Sequence, residues 1–223
     1  LSNKLGITLY MVLLGSYNIL LSKYSGQEDI VVGSPIAGRH HADLEGIIGM
    51  LVNTLAMRNY PVSSMTVKDF LLDVKENALQ AYENQDYQFE HLIDQLDLIR
   101  DTSRNPLFDT LFVLQNTENK ELELEGLKFI PYDFEHTIAK FDLSLSAQEL
   151  GDKIGIELEY STKLFKEETM ERLAVHYLNT LREVVSNLEQ TIGGVEILSK
   201  EEKGIILDQF NDTTAPYPSD KCI

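Results

Sequence analysis

The 223-residue chain has a single cysteine, Cys222, which excludes an internal disulfide framework and any multi-cysteine zinc site. Positive charge is scarce: 19 Lys and Arg face 36 Asp and Glu, a net charge of −17. So acidic a surface repels nucleic-acid phosphates and anionic lipid, which disfavours both as partners. Long apolar runs are missing too. The longest, around Leu9 to Leu21, is interrupted by Gly15, Ser16, Tyr17 and Asn18, so it is no membrane span, and no basic region precedes it as in a signal peptide. These absences point to a cytoplasmic protein. Nor is there a Gly-x-x-x-x-Gly-Lys phosphate loop, a Gly-x-Ser-x-Gly elbow, a His-x-x-x-His or a Cys-x-x-Cys, and no metal site is expected.

What remains is an ordinary globular composition, 43% hydrophobic and 25% charged, in a chain long enough to bury roughly 70% of its unfolded surface. The apolar positions Leu9, Val12, Leu13, Tyr17, Leu20 and Leu21 recur at helical spacing, and predict an amphipathic helix from an N-cap at Thr8 to a stop at Gly26. Asp29 to Ile36 reads as a short buried strand, and Ile47 to Met57 as a second. Helical periodicity returns over Thr66 to Tyr82, with Val67, Phe70, Leu71, Val74, Ala78 and Tyr82 on one face, and a short helix is expected over Phe89 to Leu98. Phe108 to Leu114 predicts a strand. Two alternating strands follow, joined at Gly151-Asp152, which suits a hairpin. A last long helix over Glu167 to Leu188 carries Met170, Leu173, Ala174, Tyr177, Leu178, Leu181 and Val185 on one stripe. From Thr191 the pattern weakens, with one short helix at Lys200 to Phe210. Helix and strand alternate without a βαβ fingerprint, which argues for an α/β fold in which a mixed β-sheet is covered by helices.

The most conspicuous polar string is His40-His41-Ala42-Asp43-Leu44-Glu45-Gly46. Adjacent histidines beside carboxylates could supply a general base and its orienting acid; the same string also suits a surface loop between Gly38 and an apolar strand. His91, His136 and His176 are isolated, and His176 lies beside an apolar stripe, where packing is its expected role. Glu121, Glu123 and Glu125 alternate with Leu122 and Leu124, as in a strand with one solvated face. Both ends of the chain read as cuts through something larger: Leu1 leads straight into an apolar segment, and Ile223 follows no terminating element.

Several segments taken together resemble the condensation domain of nonribosomal peptide synthetases, in its C-terminal half. Ile48-Gly-Met-Leu-Val-Asn-Thr-Leu-Ala-Met-Arg58 is similar to that family's Ile-Gly-x-Phe-Val-Asn-Thr, with Leu51 in place of Phe. Asn84-Gln-Asp-Tyr-Gln-Phe-Glu90 resembles Asn-Gln-Asp-Tyr-Pro-Phe-Glu, with Gln88 in place of Pro. Arg100-Asp-Thr-Ser-Arg-Asn-Pro-Leu107 fits Arg-Asp-x-Ser-Arg-Asn-Pro-Leu throughout. Gly33-Ser-Pro-Ile-Ala-Gly-Arg39 and Lys140-Phe-Asp-Leu143 extend the likeness, and Phe210-Asn-Asp-Thr-Thr-Ala-Pro-Tyr-Pro218 looks like the entry to an adenylation domain.

The resemblance implies a chloramphenicol-acetyltransferase-like half. Residues 1–190 would be the C-terminal subdomain, 191–212 a linker, and 213–223 the first residues of the adenylation domain. It implies peptide-bond formation between carrier-bound aminoacyl or peptidyl thioesters, from an L-configured donor to an L-configured acceptor. The implied partners are the N-terminal half of the domain, peptidyl carrier domains and the downstream adenylation domain; phosphopantetheine belongs to the carriers, and no cofactor is bound directly. The family's catalytic His-His-x-x-x-Asp-Gly lies in the N-terminal half, so no catalytic residue is expected here. His40-His41 sits among C-terminal motifs with Glu45 where that pattern has Asp, and is read as non-catalytic. Asn53 and Thr54 could line the inter-half tunnel or close a turn. Asp86 and Glu90 are expected to cap or anchor the helix at Phe89. Arg100, Asp101, Arg104 and Asn105 are expected to scaffold the loop before the Phe108 strand, with Arg104 pairing Asp101. The rival reading is a non-catalytic scaffold or carrier-docking half; a weaker one is a stand-alone acyltransferase with His41 as base.

Overall fold

Thr8 begins the first long helix in the way its side chain dictates: extended backbone, and a hydroxyl that accepts the amide of Met11 at 3.3 Å. In the computed structural model, which describes residues 2–39, 41–96, 98, 104–115, 127 and 138–214, the helices are α1 (Ser2–Leu5), α2 (Leu9–Ser25), α3 (Ala42–Glu45), α4 (Val67–Glu83), α5 (Phe89–Gln95), α6 (Glu167–Ser186) and α7 (Lys200–Gly204). A 3-10 turn at Ile192–Gly194 precedes α7, and a π turn at Ile205–Gln209 follows it. The strands are β1 (Ile30–Ile36), β2 (Asn53–Asn59), β3 (Thr110–Gln115), β4 (Leu143–Leu150) and β5 (Lys153–Tyr160).

These strands form one mixed sheet in the order β2-β1-β3-β4-β5. β1 runs antiparallel to β2, from Ile30 opposite Asn59 to Ile36 opposite Asn53, and parallel to β3 at Gly33 and Leu111. β3 and β4 are parallel, and β4 turns antiparallel into β5 through Gly151, whose φ of 66° is the left-handed turn expected of it.

Alternation along each strand sets two unlike faces. Val32, Leu55, Met57, Phe112, Leu145 and Ala147 point to one face and share a single core with α2, α4 and α6. α2 departs from the amphipathic expectation. Ten consecutive residues from Met11 to Leu20 are buried, because α4, α6 and the sheet enclose it. Its polar side chains turn back onto the helix: Ser16 donates to the Val12 carbonyl at 2.8 Å and Asn18 to that of Leu14 at 2.6 Å, while the Asn18 Oδ1 is buried without a partner. Tyr17 reaches Thr110 at the head of β3, and burial pushes its phenol well above the usual range.

Three further differences from the sequence reading have physical causes. The second strand begins at Asn53 rather than Ile47, and Ile48 and Met50 stand fully in solvent; an apolar run does not become a strand without a neighbour to pair with. The buried face of α6 is Met170, Leu173, His176, Tyr177, Thr180 and Val184, rotated part of the way round from the expected stripe, so Met170, Leu173 and Tyr177 are buried while Leu178 and Val185 are exposed. Finally, the weakly patterned stretch after Thr191 is packed. Ile192 and Val195 are 1% and 3% exposed within the main core. Ile192 and Gly193 donate to the carbonyls of Met65 and Ser63 at 2.9 and 2.8 Å.

Candidate functional site

Asn53 stands at the start of β2, opposite the last residue of β1. Its amide nitrogen donates to the carbonyls of Gln85 (2.8 Å) and Tyr87 (3.0 Å). Its oxygen accepts the amides of Thr54 (2.8 Å) and Phe89 (3.4 Å). One side chain therefore ties the 48–58 segment to the 84–90 segment. Through the Phe89 amide it also holds the first residue of α5. The N-cap of α5 is Gln88, with no side-chain capping bond, and Glu90 lies exposed within the first turn. Asp86 precedes the cap, in the turn held by Asn53.

The 33–39 segment joins the same place from β1. Gly38 has φ 63°, and a Cβ there would lie 1.9 Å from the Leu51 carbonyl oxygen, so only glycine lets these loops touch. Next to it, Arg39 donates to the carbonyls of Leu44, Ile47 (2.7 Å) and Gly49 (3.1 Å). A guanidinium fork can hold three carbonyls at once, which an ammonium cannot copy in that geometry. The exposed loop before Asn53 is thus clamped from one side by Arg39.

On the sheet face away from α2, Phe108 lies flat over Gly33, where a Cβ would fall 2.1 Å from the ring. The ring packs against Phe89 at 5.3 Å and stacks on Phe141 at 5.8 Å. Asn105 sets up its approach by accepting the amides of Leu107 (3.2 Å) and Phe108 (3.4 Å). Segments 33–39, 48–58, 84–90, 104–107 and 140–143, scattered along the sequence, therefore meet at one end of the sheet. Thr54 lies among them, half-buried and facing Pro35 across the ladder.

Arg104 stands in the loop before β3. Its guanidinium forks onto the carboxylate of Asp109, Nε to Oδ1 at 3.1 Å, with both side chains substantially exposed. Arg100 and Asp101, the expected partner, lie outside the described residues, as do His40, His136, the glutamates 121, 123 and 125, Cys222 and the stretch 215–223.

Of the remaining histidines, His41 caps α3 by accepting the Asp43 amide at 3.3 Å and is mostly exposed. His176 is buried and bridged: Nδ1 to the Tyr24 hydroxyl at 2.6 Å, Nε2 to the Glu202 carboxylate at 2.9 Å. Glu202 also accepts the Ser199 amide, and that bond, followed by the one to His176, holds its carboxyl below the usual range against the cost of burial. The triad ties α7 to α2 and α6. The sequence held no signal for Glu202, because its partner is 26 residues away.

Among the described residues no group of three or more His, Cys, Asp or Glu lies close enough to hold a metal, and no helix is long and apolar enough to cross a membrane.

Residues 1–207 match the family model of the condensation domain. The chain is 54% identical over 218 residues to bacitracin synthase 3 of Bacillus licheniformis, covering 98% of this chain and 3% of that protein. It is 55% identical over 216 residues to tyrocidine synthase 3 of Brevibacillus parabrevis, covering 97% and 3%. The fold matches the X-domain from teicoplanin biosynthesis with TM-score 0.81 at 21% identity, over 88% of this chain and 46% of that one. It matches the first condensation domain of the calcium-dependent antibiotic synthetase with TM-score 0.71 at 15% identity, over 89% and 44%. With the five-stranded mixed sheet and its helices, these agreements bear out the α/β, acetyltransferase-like expectation. The chain belongs to the condensation-domain family of nonribosomal peptide synthetases.

Proposed function

We propose that the chain is the C-terminal half of a condensation domain joining an L-configured donor to an L-configured acceptor, both held as thioesters on carrier domains. In this reading residues 1–190 form the half, 191–212 lead out of it, and 213–223 begin an adenylation domain. Asn53 and Thr54 stand at the wall facing the tunnel, while Asn105, Arg104, Asp86 and Glu90, with Arg100 and Asp101, hold the loops behind them. The reaction's histidine belongs to the N-terminal half, phosphopantetheine to the carriers, and the assembly works in the cytoplasm. The observation that supports this best is the Asn53 bracket, which joins two sequence-distant motif segments by four hydrogen bonds at one sheet end. An arrangement so costly to assemble is expected where a surface must be shaped.

The experiment compares this chain with a parent that includes the residues before Leu1, each mixed with loaded donor and acceptor carriers. The parent should yield dipeptide and this chain none above the buffer control; turnover by the chain alone would overturn the reading. His41→Ala in the parent should stay within a few-fold of the unmutated rate. A general base contributes about 10²–10⁴-fold, so a loss of that size with the fold intact would restore His41 to the chemistry.

A further inference from the structure

Helix α6 is more hydrophobic than this fold uses. Its buried side chains, among them Leu173, His176, Thr180 and Val184, centre on one line. Ala174, Leu178 and Val185 lie on another, roughly 100° around the helix at 3.6 residues per turn. Leu178 is 42% exposed and Val185 56%. Beside this second row runs β5, an edge strand whose Ile156, Leu158 and Tyr160 are only half-buried. Between helix and strand lies an open groove of about 330 Å³, which Met170, Ala174 and Leu178 line from the helix side. Its charged lining residues are Glu167 and Glu171, both acidic.

We infer that this groove is a docking site for an amphipathic α-helix of a partner domain, about three turns long, its apolar face flanked by lysine or arginine. The dimension comes from the lining: Glu167 to Leu178 spans roughly 16 Å along α6, at 1.5 Å per residue. The charge comes from the two carboxylates on the rim of a chain that already carries −17. An acidic helix would be repelled there, and a neutral one would leave both carboxylates without a counter-charge. A strand added to β5 would pair along its edge and leave Leu178 uncovered; the helix covers it. The inference is independent of the condensation reading, because it rests on α6 and β5 alone.

The full chain contains no tryptophan, so a single tryptophan in a probe peptide reports without background. The probe is a synthetic peptide of about 18 leucines and lysines at helical spacing, long enough to be helical when bound, with one tryptophan on its apolar face. It should bind saturably at one site, with a blue-shifted emission. Leu178→Glu should weaken binding about tenfold or more, a change of about 1.4 kcal/mol. Leu79→Glu adds the same charge at a comparably exposed site on α4 and should not weaken it. Leu178→Gln, uncharged and compatible with a helix, should weaken binding with helicity unchanged. Equal effects of Leu178→Glu and Leu79→Glu would overturn the inference. So would equal binding of a scrambled leucine–lysine peptide, or of the same helix with glutamate in place of lysine.

Discussion

The carboxamide of Asn53 works because it offers donor and acceptor at once. Two carbonyls from the 84–87 turn need an N–H, and two amides, of Thr54 and Phe89, need an oxygen. Asn53→Ala should therefore lower stability by about 3 kcal/mol, at roughly 1 kcal/mol for each of the bonds to Gln85, Tyr87 and Thr54. Asn53→Asp keeps the acceptor but turns an anion onto two carbonyls, so its unfolding midpoint should fall below that of Asn53→Ala. The reverse order in a denaturant titration would mean the donor half of the bracket is idle. Arg104 illustrates the opposite case. A buried pair would make Arg104→Ala cost about 3–5 kcal/mol, but the Arg104–Asp109 pair is largely solvated. Exposed pairs contribute about 0–1 kcal/mol, and the same titration should show a loss within that range. A loss of several kcal/mol would show that the loop depends on this guanidinium in a way its pairing with Asp109 does not explain.

At the scale of elements, Gly33 in β1 and Phe108 ahead of β3 make the tightest side-chain packing around the site. Phe108 is 4% exposed and held between Phe89 and Phe141, so it cannot swing aside for a new methyl. Gly33→Ala should cost about 1–3 kcal/mol, the usual range for overpacking. Phe108→Leu in the same chain should recover part of that loss, measured as a double-mutant cycle; additive losses would show that the two positions do not press on each other. The stretch after Gln190 belongs to the core in the same sense. Burying Ile192 alone contributes about 1.5–3 kcal/mol. With roughly 2–4 °C per kcal/mol at this size, truncation after Gln190 should lower Tm by about 5 °C or more, read by circular dichroism. An unchanged Tm would mean that Ile192 and Val195 pack without stabilising anything.

At the scale of the whole molecule, 36 acidic against 19 basic side chains make self-repulsion a general cost of folding. Raising ionic strength from about 0.01 to 0.15 M shortens the screening length from about 30 Å to about 8 Å, and Tm should rise. A fall would mean that local pairs such as Arg58–Asp29, at 2.7 Å, outweigh the net field. The same acidity gives the groove beside α6 its selectivity for a basic partner.

The division between sequence and tertiary structure runs along the range of the interactions involved. Much of the local order was legible: Thr8 as a cap, Gly151 as a hairpin turn, and the α4 face of Val67, Phe70, Leu71, Val74 and Ala78 each depend on neighbours within a few residues. The motif resemblance was legible too, because it is a property of the string. The partners of those motifs were not. Asn53 reaches across 32 residues to Gln85, Arg104 forks onto Asp109, and Glu202 found His176. The sequence by itself determined the elements and the family, since periodicity, caps and motifs are written in order along the chain. Only the tertiary structure decided which apolar side chains were used. The excess on α6 and the burial of Ile192 and Val195 follow from what the sheet and its neighbours could cover, a surface that exists only once the chain has folded.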